Sequence, residues 1–132
     1  MALQESVAVR NARLDAIETT IGTAAKLKLF TGTVPANCAA ADPAGTLVTL
    51  TLPTDWMNNA SSGSKTLLGT WSGTASASGT AASFRLYASD GTTCGLQGTV
   101  GQGSGDLSLD NAAIVNGQTV TISTFTLTGG NA

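Results

Sequence analysis

The sequence predicts a mainly β protein: an antiparallel β-sandwich of jelly-roll or Greek-key type, preceded by one N-terminal α-helix. Three observations predict it. The larger apolar residues follow a helical period only as far as Gly22 and a period of two beyond it. Gly, Ala, Ser and Thr together fill 69 of the 132 positions, whereas charged residues make up 11% and aromatics 5%. Turn signals then cut the second part into seven or eight short runs, with no helical pattern between them to serve as crossovers. A chain of this length makes one compact unit of roughly 100 to 150 residues. Its expected division is a helical arm over 1–22 and a β-sandwich domain over 23–132.

The helix comes first. Leu3, Val7, Arg10, Leu14, Ile17 and Ile21 recur at alternating steps of four and three, one stripe of a helix, and Gly22 supplies a stop. Charge argues against this helix standing alone. Arg10 and Arg13 are like-charged three residues apart, as are Asp15 and Glu18, and those acids lie toward the negative end of the helix dipole. Such a helix needs something to pack on. A second copy, another protein, or the β domain of the same chain each satisfy the stripe, and its six positions form the candidate partner interface. Arg10 suits a paired interfacial cation or a side chain reaching to water from the helix edge. Dimer and trimer both remain open for a homo-oligomer.

Strands follow. Leu27, Leu29 and Thr31 alternate with Lys28 and Phe30, and Leu47–Leu52 is a Thr-rich strand closed by Pro53. Further strands are expected over Thr66–Trp71, Ala82–Ala88, Cys94–Val100, Asp106–Leu109 and Thr119–Leu127. Ala44-Gly45, Ser62-Gly63, Asp90-Gly91, the glycine-rich 101–105 and Asn116-Gly117 mark the turns between them.

Composition excludes several functions. A net charge of −2 and a pI near 4.7 leave no excess of cations to neutralise phosphates, so no nucleic-acid partner is expected. No run approaches the length of a membrane span and no secretion signal opens the chain, so neither a membrane partner nor an export leader is expected. Zero histidine removes the usual nucleophile activators and most zinc sites. No catalytic residue, cofactor or metal is therefore assigned, and the chain is not expected to be an enzyme.

Individual motifs are weak. Ser62-Gly-Ser-Lys65 matches a serine acyl-enzyme string, but Gly63 places it in a turn rather than on the helix that the motif needs. Gly101–Gly105 lacks dinucleotide spacing and a following helix. Asp90, Asp106, Asp110 and Asn111 suit turns better than calcium. Trp56, Trp71 and Tyr87 would form a sugar-stacking platform if exposed, or core anchors if buried. Cys38 and Cys94 allow a single loop-closing disulfide, contributing roughly 3 to 4 kcal/mol in a chain-entropy account.

Four stretches carry a family resemblance: Arg10-Asn-Ala-Arg-Leu-Asp-Ala-Ile-Glu-Thr-Thr-Ile-Gly22, Leu52-Pro-Thr-Asp-Trp-Met57, Gly91-Thr-Thr-Cys-Gly-Leu-Gln-Gly-Thr-Val100 and Val120-Thr-Ile-Ser-Thr-Phe-Thr-Leu-Thr-Gly129. Together they resemble small virion proteins encoded with tailed-phage head genes, similar to capsid cement or decoration proteins. The resemblance implies a structural subunit on the outer capsid surface, made in the host cytoplasm, that binds the major capsid protein of the head and steadies contacts between capsomers. A glycan-binding or tail- or fibre-associated virion module is the alternative. Folding in a reducing cytoplasm, which the resemblance also implies, makes free thiols at Cys38 and Cys94 the expectation.

Overall fold

A computed structural model describes residues 3–130. Its single helix, α1 (Val7–Ile21), opens on Ser6, whose hydroxyl accepts the Val9 N–H at 3.2 Å. It ends at Gly22, whose positive φ of 97° turns the chain while its N–H donates to the Glu18 carbonyl. Leu3 therefore lies ahead of the helix rather than on its first turn.

Eleven strands follow: β1 (Lys26–Phe30), β2 (Thr46–Thr51), β3 (Ser64–Thr66), β4 (Trp71–Thr74), β5 (Gly79–Thr80), β6 (Ser83–Tyr87), β7 (Cys94–Gln102), β8 (Leu107–Leu109), β9 (Ala113–Ile114), β10 (Thr119–Ile122) and β11 (Thr126–Thr128). The main sheet runs β2-β1-β6-β7-β8, and the remaining strands pair as β10-β4, β11-β3 and β5-β9. Two expected strands are divided. Thr66–Trp71 breaks at Gly69, and Thr119–Leu127 breaks where Phe125 turns inward at 4% exposure.

The expectation of an antiparallel fold needs correction. β7 and β8 run parallel, with Val100 beside Leu107 and Gln102 beside Leu109, so the curled main sheet is mixed. Parallel neighbours usually need a crossover of about a dozen residues. Here residues 103–106 suffice, because Asp106 pins the loop back onto β7. Its carboxylate accepts the Thr99 N–H at 3.0 Å and the Thr99 hydroxyl at 3.1 Å.

β6 is buried along its whole length, as a central strand covered on both faces must be. Phe84 and Leu86 join Leu27, Leu29, Leu47 and Leu50 in the main core, while Arg85 and Tyr87 lie under residues 31–45 on the opposite face. Small residues let the layers close: a Cβ on Gly73 of β4 would stand 3.0 Å from the Thr49 carbonyl oxygen of β2. The aromatics form a relay through this core, Trp56 to Trp71 at 5.9 Å, Trp71 to Phe125 at 5.6 Å and Phe125 to Phe84 at 5.7 Å between ring centroids. Both indoles are tied as well as packed. Trp56 donates to the Gly22 carbonyl and Trp71 to the Trp56 and Leu68 carbonyls.

Candidate functional site

The helix binds the β body through a polar face. Asn11, Asp15 and Glu18 follow one another at steps of four and three, and each accepts a backbone N–H from the segment that leads into β3: Gly63, Ala60 and Met57 respectively. Lys65 of β3 enters between the two acids. Its Nζ lies 2.7 Å from Asp15, 2.9 Å from Glu18 and 2.9 Å from the Asn58 carbonyl, which uses all three ammonium protons. The side chain is 1% exposed. Burial pulls the Lys65 pKa down, but hydrogen bonds to Asp15 and Glu18 and their charges outweigh it and leave the group above its ordinary value. The Lys65 hydrogen bond, helped by the Ala60 N–H, holds Asp15 below the usual carboxylate range. The like-charged Asp15 and Glu18 that destabilise an isolated helix thus acquire a shared counter-ion in the folded chain.

The stripe divides at Arg10. Leu14 and Ile21 are buried on the protein's own β body, and Ile17 packs against the same core. Leu3 is 65% exposed and Val7 48%. Between them the Arg10 stem lies on Gly129, and its guanidinium crosses Gly63, a glycine at φ 76° where any Cβ would collide with it. The guanidinium makes no hydrogen bond or ion pair with any described residue, and its Nε is buried without a partner. Arg13, by contrast, pairs with Glu5 at 2.6 Å and donates to the Gly130 carbonyl.

A second cation organises the opposite face. Arg85, 2% exposed, donates to Gln97 of β7, to Asp42 at 2.9 Å and to the Ala40 and Asn37 carbonyls at 3.1 Å each. Gln97 donates to the Pro35 carbonyl. These bonds strap 31–45 across the sheet, and the Tyr87 hydroxyl donates to the same Asp42 carboxylate. Burial, then the Asp42 hydrogen bond and charge, raise the Tyr87 pKa against the opposing effect of Arg85. Cys38 on the strap and Cys94 at the start of β7 form a disulfide, with Cα atoms 5.4 Å apart. The free-thiol expectation is therefore corrected: the strap already holds the two residues at bridging distance.

Other motifs resolve into structural roles. Trp56, Trp71 and Tyr87 are fully buried and present no face on which a sugar ring could stack. Lys65 of the Ser62–Lys65 string is committed to the two carboxylates, and Ser62 sits in a turn at φ 53°. Asp90 accepts the Thr92 and Thr93 N–H groups and the Thr93 hydroxyl, bonds that lower its pKa to about 2. Asn111 accepts the Ala113 N–H. Among the described residues, no three Cys, Asp or Glu side chains gather as a metal site, and no helix is long and apolar enough to cross a membrane. Of the two organising cations, Arg85 was not singled out by pattern, and Lys65 entered only as the end of the Ser62–Lys65 string. The available signal was their isolation, since they are the only cations after residue 28.

Comparison with protein-family models, curated proteins and solved structures finds no match to this chain.

Three outcomes follow from these clusters. Asp15→Asn combined with Glu18→Gln leaves a buried ammonium without counter-charge and should lower the unfolding free energy by about 3 to 5 kcal/mol in urea titration. Lys65→Met should cost less, because Asp15, 44% exposed, can still reach water. An equal or reversed order would refute this account of the cluster.

Tyr87 is the sole tyrosine, so phenolate absorbance reports it alone. Its raised folded pKa means that the phenol contributes stability below the ordinary value of about 10, and that this contribution fades as pH rises beyond it. The absorbance should therefore appear later than in the urea-unfolded chain. Coincident titrations would contradict the buried Asp42 contact.

Reducing the Cys38–Cys94 bond, or changing both residues to Ser, should lower stability by about 3 to 4 kcal/mol in denaturant titration. A midpoint unmoved by reductant would show that the polar strap alone carries the constraint.

Proposed function

We propose that this chain is a structural virion protein of a tailed phage, a capsid cement or decoration subunit made in the host cytoplasm. It binds the major capsid protein on the outer surface of the head and stabilises contacts between capsomers. The four resembling stretches supply the family expectation. The structural observation that carries the reading is the helix stripe: half of it anchors a rigid body, and the other half, Leu3 and Val7, remains on the surface beside an unpaired Arg10.

In this reading the body is a sandwich of jelly-roll type, with the main sheet facing the β4–β10 and β3–β11 pairs across the aromatic relay. The disulfide belongs to the particle outside the cell, because the cytoplasm keeps thiols reduced. Many identical subunits, each held by modest contacts, reinforce a shell through repetition rather than through one strong site. A tail or fibre location would use the same construction, and binding to heads separates the two.

The purified full-length protein, added to heads that lack it, should bind to saturation and raise the temperature at which the shells rupture. Co-sedimentation measures the first and particle counting after heating the second. Wild-type protein that leaves the heads unbound would overturn the cement reading.

A further inference from the structure

We infer that a second copy of this chain docks on the free end of α1, setting Arg10 of one protomer against Asp55 of the next. Nearly every other cation has a local use. Arg13 meets Glu5, Lys65 meets Asp15 and Glu18, Arg85 meets Asp42, Lys26 reaches the Thr51 hydroxyl and Lys28 lies 4.8 Å above the Tyr87 ring. Arg10 alone among the described cations has no polar or aromatic partner, and its stem and Nε are already partly dehydrated on Gly63 and Gly129. A cation held in this way gains from an incoming carboxylate, because part of its desolvation has already occurred on folding.

The carboxylates narrow the choice. Glu5, Asp15, Glu18 and Asp42 are ion-paired, and Asp90 and Asp106 hold turns. Asp55 and Asp110 are the two that no described residue engages. Asp55 stands exposed on the rim of a groove at the far end of α1, lined by Glu18, Thr19, Gly22, Thr23 and Thr54, in which threonine and glycine carbons are open to contact. Asp110 borders a more polar groove with Asn111, Gln118 and Thr121. Of these two, the Asp55 groove sets a carboxylate for Arg10 beside threonine and glycine surface that Val7 and Leu3 can cover.

The contact must be made between copies. Arg10 and Gly22 are separated by about 18 Å of helix at 1.5 Å per residue, so the Arg10 side chain cannot reach a carboxylate at the other end of its own helix. Every protomer carries both halves. Across a twofold axis the contact forms twice, and head to tail it repeats around a ring or along an open filament.

Solution mass of the full-length protein over a concentration series tests this without phage heads, so it stands or falls apart from the cement reading. The wild type should self-associate. Arg10→Glu and Asp55→Arg should each weaken association at least tenfold, while the two together in one chain restore it by re-forming the pair with reversed polarity. Val7→Asp should weaken association, and Asp110→Arg should leave it unchanged. Circular dichroism melting confirms that each variant is folded. A wild type that stays monomeric, single variants that associate normally, a double variant that fails to recover, or dependence on Asp110 would overturn the inference.

Discussion

The position of α1 depends on one buried ammonium. Lys65 sits where only a cation with three acceptors can be tolerated, and two of those acceptors come from the helix. Without Asp15 and Glu18 the lysine would be buried and uncompensated. Without Lys65 the acids would repel each other across one helical turn. Each half of the arrangement is unfavourable alone, so the helix has one favoured seat. That seat buries Leu14 and Ile21, places Gly22 where its carbonyl meets the Trp56 indole, and leaves Val7 and Arg10 at the margin of the β body.

Arg85 applies the same principle on the other side of the sheet. The loop between β1 and β2 contains no strand of its own, and its path is set by a guanidinium directed at backbone carbonyls, with Asp42 and the disulfide as further ties. In a chain with so few charges, the two cations beyond β1 act as internal fasteners for segments that lack regular hydrogen bonding. Small residues complete the construction, since close approaches such as Gly73 on Thr49 leave no room for a side chain.

Much of this was legible in the sequence. The change of period at Gly22 located the helix end, and Ala44-Gly45, Ser62-Gly63 and Asn116-Gly117 all fall in turns, where the left-handed conformation requires residues of this kind. Period counting missed the parallel β7–β8 pair, because its short return depends on Asp106 bonding back to Thr99, a contact with no hydrophobic signature. It also missed which side of the helix meets the body. The stripe accounts for Leu14 and Ile21, but the polar row Asn11, Asp15 and Glu18 makes the directed bonds, and a row of that kind ordinarily faces water. Lys65 and Arg85 were visible as lone cations. Their burial was not, because burial of a charge is decided by partners distant in sequence.

The strap over Arg85 is held largely by its main chain. Arg85 takes the carbonyls of Asn37 and Ala40, and Gln97 takes that of Pro35, so the side chains at Ala36, Ala39 and Ala41 enter none of these bonds. At these three exposed positions the backbone path is thereby uncoupled from side-chain identity. Substitutions at these alanines can change the exposed surface while keeping the same backbone path, provided that Cys38, Asp42 and Asn37, whose carboxamide oxygen accepts the Ala39 and Ala40 N–H groups, remain.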